Sequence, residues 1–379
     1  MVVNYFLGEA DLRGKFGHSY IARRFGTFCW YDVCVTLKKF TSPCWFNRKK
    51  SSFALEGNHL AEKMLKRNDS GQSKRHRKKS LRLFTKPSVA RSMTLAEAIN
   101  NAATRFIAAG IGTPRLDAEV LLRHALKRDR AWLLAHFHDR LDEEPRGIFE
   151  QAVERRAKRE PLQYITGKQE FWGLEFAVSP EVLIPRPETE LIIETVLNSV
   201  QDRNKACTLI DLCTGSGCIA TVLASELPAA RIIATDKSPG AIAVARENAS
   251  SHGVLDRILF MEGDLTAPLE SLDIDGQVDI IVSNPPYVRS GDYPALQPEV
   301  KDYEPALALF GGPEGTDIHQ RIINAAVRYL TSNGLLIMEM GIGQAEILAN
   351  YLKKVGRYRS FEILRDLAGI ERVIAARRK

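Results

Sequence analysis

Short apolar strands alternate with helix-length segments from residue 208 onward, and this alternation most restricts the possible fold. The predicted strands are 208–212, 231–236, 257–261, 278–283, 334–340, 359–364 and 371–376. Segments of helical length, such as 217–227 and 239–251, lie between the first strands. The pattern predicts a doubly wound, seven-stranded α/β sheet that binds its ligand at the carboxyl ends of the strands. The last two strands lack an intervening helix and are expected to form an antiparallel hairpin at the sheet edge.

A helical pattern precedes the predicted sheet and predicts a small helical domain over 93–160. Thr94 and Glu97 have the spacing of a capping box, so the first helix is expected to begin directly after Thr94. Four helices are expected, the fourth over 148–157. Helical spacing assigns to the core Leu95, Ala98, Ile99, Ala102, Phe106, Ile107, Leu116, Val120, Leu121 and Leu122.

Residues 161–187 mix aromatic side chains with glycines and polar residues, which predicts a β-hairpin linker. An apolar helix is expected from about Glu188 to Val200. The sheet domain is therefore expected to occupy 188–379.

The basic charge of the chain belongs to its first 92 residues. These hold 20 Lys and Arg against 6 Asp and Glu, which leaves 33 basic and 40 acidic residues for 93–379. The segment is interpreted as a basic, disordered extension for targeting, as an arm that binds nucleic acid or ribosomes, or as upstream sequence from a misassigned start. We favour the third interpretation because Met93 directly precedes the capping box.

The six cysteines form no Cys-x-x-Cys pair, so no metal site is expected, and they are interpreted as reduced thiols. No secretory signal is recognised, and no uninterrupted apolar stretch is long enough to span a membrane. We therefore expect a cytoplasmic protein that acts away from membranes.

A glycine-containing turn follows the first predicted strand of the sheet. It comprises Cys213, Thr214, Gly215, Ser216 and Gly217. Glycines in such a turn let a nucleotide or nucleoside approach the backbone closely, although two glycines also suit any tight strand-to-helix turn. The lysine of a phosphate-binding loop is absent, which favours a nucleoside over a triphosphate.

Acidic residues end the next two predicted strands. Asp236 lies about 20 residues after the glycine turn, where a carboxylate can accept hydrogen bonds from ribose hydroxyls. Asp264 could meet an exocyclic amine, and Leu265 could line the face of a base. Each aspartate alone could be a helix cap, but three features in register on successive strands favour a nucleoside site.

The fourth predicted strand ends in the tetrapeptide Asn284-Pro285-Pro286-Tyr287. The prolines lack backbone donors but keep their carbonyl acceptors, and the asparagine adds a side-chain acceptor. Acceptors that hold both N–H bonds of a planar amine can orient its nitrogen, and the tyrosine offers an aromatic face. A rigid turn is the alternative interpretation of the isolated tetrapeptide.

Taken together, these residues resemble class I S-adenosylmethionine methyltransferases that modify planar amino groups. A narrower resemblance is to the PrmC/HemK family of peptide chain release factor glutamine methyltransferases. It is carried by 161–167, 170–176, 183–190, 303–307, Gly311-Gly312, 366–373 and the helical stretch 116–122, and it covers about 93–379.

The resemblance implies methyl transfer from S-adenosylmethionine to the side-chain amide nitrogen of the glutamine in the Gly-Gly-Gln motif of class 1 release factors. It implies cofactor contacts from residues 213–217, Asp236, Asp264, Leu265 and Asn284. It implies substrate contacts from Asn284, Pro285, Pro286 and Tyr287, the catalytic tetrapeptide, and we add Arg186 and Glu188 to the expected substrate-binding residues.

Two positions depart from the family pattern. Cys213 stands where the family often has glycine, and we expect it to be tolerated if its φ is not positive. Leu265 stands where an aromatic residue can occur, which is expected to weaken packing against adenine modestly.

Three other functions compete with this interpretation. A ribosomal-protein glutamine methyltransferase ranks second, because residues 186–190 match the release factor family more closely. A nucleic-acid adenine methyltransferase would need a basic face, which the acidic balance of 93–379 does not favour. The intact tetrapeptide argues against a non-catalytic scaffold. We expect a monomer that does not bind nucleic acid directly.

Overall fold

The computed structural model describes residues 93–379, and the interpretations of 1–92 lie outside this range. The described residues form a helical region, a short hairpin and a seven-stranded sheet flanked by helices. This architecture confirms the predicted fold class. No helix within 93–379 combines the length and apolar character needed to cross a membrane.

The helical region contains α1 (Leu95–Ala108), α2 (Pro114–Leu126), α3 (Arg130–Ala135), α4 (Glu143–Ala157) and the short α5 (Leu162–Thr166). The predicted capping box is confirmed: Thr94 Oγ1 accepts from the Glu97 amide at 3.2 Å, and Glu97 Oε2 accepts from the Thr94 amide at 2.8 Å. Helix α4 begins before the predicted Ile148 because Pro145 falls in its first turn, where proline is tolerated.

Most residues of the predicted stripe are buried in the core of the helical region, but Val120 is only half-buried and two others are exposed. Leu95, Phe106 and Leu121 are buried, whereas Ile107 is 65% and Leu116 is 50% exposed. The buried side of α2 starts instead at Asp117 and Ala118, because the ion pair of Asp117 faces α4. The periodicity was therefore assigned one residue too early at the start of α2.

A two-stranded antiparallel hairpin, β1 (Lys168–Phe171) and β2 (Leu174–Ala177), follows α5. Its turn residues Trp172 and Gly173 both have positive φ, 56° and 73°, which suits a two-residue hairpin turn. A single 3₁₀ turn, Pro187–Thr189, then leads into α6 (Glu190–Ser199), so the predicted start of this helix at Glu188 was slightly early.

The sheet domain continues with β3 (Cys207–Leu212), α7 (Cys218–Glu226), β4 (Ala230–Asp236), α8 (Pro239–Ser251), β5 (Ile258–Glu262), β6 (Val278–Ser283), α9 (Pro298–Lys301), α10 (Asp317–Tyr329), β7 (Leu330–Glu339), α11 (Ala345–Val355), β8 (Tyr358–Arg365) and β9 (Glu371–Arg378). Strand β7 starts at Leu330 and not at the predicted residue 334. The sequence of residues 331–334 is typical of a turn, and Asn333 has a positive φ of 70° within the strand.

The strand order is β5-β4-β3-β6-β7-β9-β8. Strands β3 to β7 pair in parallel, whereas β9 runs antiparallel to both β7 and β8. The predicted edge hairpin is therefore confirmed. The chain order reverses between β3 and β6, and a ligand of such a sheet binds at that switch point.

Each face of the sheet packs against its own set of helices. One core combines Ile192 of α6, Leu223 of α7 and Ala245 of α8 with the sheet. The other combines Ile322 of α10 and Leu348 of α11 with it. Burial on both faces explains why the central strands read as continuous apolar runs in the sequence.

An ionic cluster joins the helical region to the segment between β6 and α10. Arg156 of α4 donates to Asp117 of α2 at 2.7 Å and to Glu299 of α9 at 3.1 Å. Arg159 donates to the other oxygen of Glu299 at 2.6 Å. Because the Arg156 side chain is only 8% exposed, its charge depends on these two carboxylates.

We predict that Glu299→Gln lowers the free energy of unfolding by about 1–3 kcal/mol, because the substitution removes the charge that pairs with two arginines. Urea unfolding followed by circular dichroism measures the change. The matched control is Glu150→Gln, which breaks the exposed Arg146–Glu150 pair and should leave the midpoint unchanged. Equal midpoints for both variants would contradict a stabilising role of the cluster.

Candidate functional site

A pocket opens at the carboxyl ends of β3, β4, β5 and β6, at the switch point of the sheet. Nine of the residues predicted for the site line it: Cys213, Thr214, Gly215, Ser216, Asp236, Asp264, Leu265, Asn284 and Pro286. Residues that sequence reasoning did not select complete the wall, among them Thr189, Leu307 and Arg321. Five predicted residues do not line it: Gly217, Pro285, Tyr287, Arg186 and Glu188.

The two glycines of the turn after β3 have different positions. Gly215 has φ 56°, and a Cβ there would meet open space on the pocket side. Gly217 has φ 76°, and a Cβ there would lie 2.8 Å from the Cβ of Ala245. The first glycine therefore leaves room for a ligand, whereas the second permits close packing of α7 on α8.

Buried carboxyl groups hold the turn in place. Asp211, on β3, is fully buried and accepts from Thr214 Oγ1 at 2.6 Å, and burial raises its pKa to about 7. Asp236, at the end of β4, accepts from the amides of Gly215 and Ser238, each at 2.9 Å. Because each carboxylate oxygen can accept two hydrogen bonds, Asp236 keeps capacity for the hydroxyls of a ribose.

The far end of the pocket is built by the turn after β5. Leu265 is 8% exposed and lines the wall, with its carbonyl accepting from Thr235 Oγ1 at 2.9 Å. Asp264 accepts instead from Arg321 of α10 at 2.8 Å. Asp264 thus lines the pocket as predicted, but its carboxylate is paired with the guanidinium of Arg321, a contact that the sequence did not predict.

At the end of β6, the Asn284 side chain is fixed by a chain of hydrogen bonds. Asn284 Nδ2 donates to Thr189 Oγ1 at 3.1 Å, and Thr189 Oγ1 donates to Glu339 Oε2 at 2.6 Å. The hydroxyl of Tyr287 donates to the other oxygen of Glu339 at 3.2 Å. Glu339 is 1% exposed, and burial raises its pKa to about 7.

The backbone of the tetrapeptide is held separately. Gln344 Nε2 donates to the carbonyls of Tyr287 at 2.9 Å and Gly315 at 3.1 Å. Within 93–379, no hydrogen bond reaches the carbonyl of Pro285, which leaves that oxygen available as an acceptor. Asn284 lines the pocket, whereas Pro285 is buried and does not line it, so the structure places one of the two expected acceptor residues at the pocket.

Arg186 and Glu188, which we predicted to bind substrate, are not among the residues that line the pocket. Arg186 forms an ion pair with Glu304, whose other oxygen accepts from the Ile184 amide at 3.3 Å. Glu188 is half-buried, and its negative charge contributes to the raised pKa of Glu339. The ion pair of Arg186 therefore ties the chain just before Thr189 to Glu304.

Cys213 does not meet the condition under which we expected it to replace glycine easily. Its φ is 59°, in the left-handed region, and Leu265 has φ 53°. The partly buried side chain of Cys213 packs against the core that α10 and α11 form with the sheet, and burial raises the pKa of its thiol. The position therefore combines backbone strain with favourable side-chain packing.

We predict that Cys213→Gly changes the free energy of unfolding by less than about 1 kcal/mol, because relief of left-handed strain offsets the lost packing. Cys213→Val should lower it by about 2 kcal/mol or more, since a β-branched residue is poorly tolerated at positive φ. Chemical denaturation of both variants measures the difference. A valine variant as stable as the glycine variant would contradict the strain.

The residues that sequence reasoning missed come from distant parts of the chain. Thr189, Glu339, Gln344 and Arg321 lie on elements whose contact with β3 and β6 exists only in the folded sheet. The one available signal was Glu339 itself, an acidic residue at the end of an apolar strand next to the switch point.

The residues of the pocket fit S-adenosylmethionine. Gly215 leaves an open backbone, Asp236 has free acceptor capacity for ribose, and Leu265 offers an apolar surface for adenine. No cluster of three or more metal-ligating side chains occurs among the described residues.

Comparisons with known proteins found matches to two family models. The family described as the PrmC N-terminal domain matches residues 97–167, and the methyltransferase small domain matches 188–298. A methyltransferase of known structure from Pyrococcus furiosus is 15% identical, with a TM-score of 0.41 over 59% of this chain and 98% of that one.

Two relatives are much closer in sequence. A release factor glutamine methyltransferase from Moorella thermoacetica is 43% identical over 287 residues, which cover 76% of this chain and 99% of the relative. One from Geobacter sulfurreducens is 46% identical over 268 residues, 71% of this chain and 91% of the relative. The chain therefore belongs to the release factor glutamine methyltransferase family.

Proposed function

We propose that the chain methylates the side-chain amide nitrogen of the glutamine in the Gly-Gly-Gln motif of class 1 release factors, with Asn284 as the central substrate-binding residue. One observation carries the proposal. Asn284 Nδ2 is occupied by Thr189, so the carbonyl oxygen of its amide is the group left to accept a hydrogen bond in the pocket.

The cofactor S-adenosylmethionine supplies a methyl group activated by the positive charge of its sulfur. Asp236 binds the ribose hydroxyls with the lone pairs that Gly215 and Ser238 leave free. Leu265 contacts the adenine, and Thr214 and Ser216 line the same wall. These residues fix the methyl group relative to Asn284.

The glutamine amide is a weak nucleophile because its lone pair is delocalised into the carbonyl. Asn284 Oδ1 accepts one of its two N–H bonds and directs the nitrogen toward the methyl group. The Pro285 carbonyl stays the predicted second acceptor, although Pro285 does not line the pocket. The nitrogen forms the new N–C bond as the C–S bond breaks, and one N–H proton then leaves to water. Tyr287 does not line the pocket, and its hydroxyl donates to Glu339, which anchors the end of the tetrapeptide.

An apolar rim beside the tetrapeptide is suited to a protein substrate. Leu307 and Phe310 line the pocket yet remain 52% and 39% exposed. Phe310 is held in place by stacking on Tyr293, with ring centroids 4.5 Å apart. Glycines before the target glutamine carry no side chains, so their backbone can pass close to this rim.

The charge balance supports a protein over a nucleic acid as substrate. Residues 93–379 hold 33 basic and 40 acidic side chains, whereas binding to a phosphate backbone requires a positive surface. On this ground we propose action without direct nucleic-acid contact. We further propose a monomer in the cytoplasm, where release factors act.

We predict that the purified chain transfers labelled methyl from S-adenosylmethionine to a class 1 release factor, and that replacing the glutamine of the Gly-Gly-Gln motif abolishes labelling. Scintillation counting of the precipitated factor measures transfer, and mass spectrometry of the tryptic peptide locates the methyl group. Equal labelling of the substituted factor would contradict the assignment of this glutamine as the methylated residue.

We predict that Asn284→Ala lowers kcat by about 100-fold or more, because the variant loses an acceptor that positions the nitrogen in the transition state. Its Kd for the cofactor, measured by isothermal titration calorimetry, should change by less than about fivefold, since the other contacts remain. Asn324→Ala, an exposed asparagine on α10 bonded to Tyr351, is the matched control and should retain full kcat. If Asn284→Ala kept its turnover, the positioning role would be wrong.

A further inference from the structure

A buried hydroxyl–carboxyl pair, Thr189 and Glu339, lies directly behind the tetrapeptide. Thr189 is 2% and Glu339 is 1% exposed. We propose that Thr189, anchored by Glu339, is a positioning residue that forces the Asn284 amide to present its oxygen, and not its nitrogen, to the substrate. This inference rests on the proposed role of Asn284 as the substrate-binding acceptor.

The hydroxyl of Thr189 carries a single proton, so it can donate only one hydrogen bond. The ionised carboxylate of Glu339 can only accept, so Thr189 Oγ1, 2.6 Å from Glu339 Oε2, donates its proton there. With that proton used, the hydroxyl can only accept from Asn284, at 3.1 Å. A flipped Asn284 amide would bring its oxygen against the threonine oxygen with no proton between them.

Glu339 can impose this direction because its other contacts are fixed. Its second oxygen accepts from the hydroxyl of Tyr287 at 3.2 Å. Its backbone carbonyl contacts the buried ring of His319 at 2.7 Å, at the start of the loop that leads to α11. The carboxyl group therefore contacts both ends of the tetrapeptide, Asn284 through Thr189 and Tyr287 directly.

A rotation of the Asn284 amide by 180° would exchange an acceptor for a donor in the pocket, because the amide oxygen accepts hydrogen bonds whereas the amide nitrogen donates them. The oxygen accepts the N–H of a glutamine amide, whereas an –NH2 group in its place would oppose another –NH2 group. The Asn284 orientation therefore determines whether the pocket accepts an amine nitrogen at all. Nothing else among the described residues bonds to the Asn284 side chain.

The experiment compares three variants at buried threonines. Thr189→Val removes the hydroxyl with little change in shape, and Thr189→Ser keeps it. Thr221→Val is the matched control, because Thr221 of α7 is also fully buried but its hydroxyl has no partner in the described part of the chain. Each variant is assayed for kcat and KM on a release factor, and for cofactor Kd by calorimetry.

We expect Thr189→Val to lower kcat between about 10-fold and 100-fold, as loss of one buried hydrogen bond predicts. Its cofactor Kd should stay within about threefold of wild type. Thr189→Ser should recover kcat to within about threefold, and Thr221→Val should match wild type. A purely structural role of Thr189 would instead move cofactor binding together with kcat.

A double-mutant cycle tests the route through Asn284. If Thr189 acts by orienting that amide, Thr189→Val should cost little further activity in the Asn284→Ala background. Additive losses in the cycle, or a Thr189→Val kcat within twofold of wild type, would overturn the inference. A wild-type chain that fails to label the glutamine would contradict the proposed function itself, which is a different result.

Discussion

The parallel pairing of β3 with both β4 and β6 is the constraint on which the site depends. Leu212 pairs with Thr235 on one side and with Ser283 on the other, so these three strands end at one level. Residues far apart in the chain, from Gly215 to Asn284, consequently meet around one pocket. Since backbone hydrogen bonds set this register, a change in any one strand would displace the cofactor and substrate halves of the site relative to each other.

Backbone strain is concentrated where the strands turn into the pocket. Cys213 and Leu265, the residues at which β3 and β5 lead into their turns, both adopt left-handed φ values. Such a conformation costs about 1–2 kcal/mol for a residue with a Cβ. Hydrogen bonds of neighbouring groups offset the cost, as between Thr235 and the Leu265 carbonyl. Strained residues that persist beside a pocket fit a role in shaping it for a ligand.

Sequence reasoning predicted the features that depend on local pattern. The bounds of β3, β4 and β6 agree with the structure to within a residue, because apolar runs between turn residues specify buried parallel strands. Asp236 and Asn284 lie in the pocket as expected, since strand ends in such a sheet share one edge.

What sequence reasoning missed depends on contacts between distant residues. Thr189 and Glu339 are 150 positions apart and become partners only when α6 packs beside β7. The partner of Arg186 was missed for a related reason, because Glu304 lies 118 positions away in the chain. The backbone conformation of Cys213 was also not predicted, because nothing in the local sequence indicates its positive φ.

The segment between β6 and α10 connects substrate binding to the helical region. It begins at the tetrapeptide and contains Glu299 and Glu304, which pair with Arg156 and Arg186 on opposite sides. Tyr303, between them, donates to the Lys158 carbonyl at 2.7 Å. The segment that carries the apolar rim is therefore tied to α4 and to the residues directly after it. Such ties make rim geometry sensitive to substitutions far from the reacting atoms, because positional errors of about 1 Å are costly in catalysis that rests on orientation.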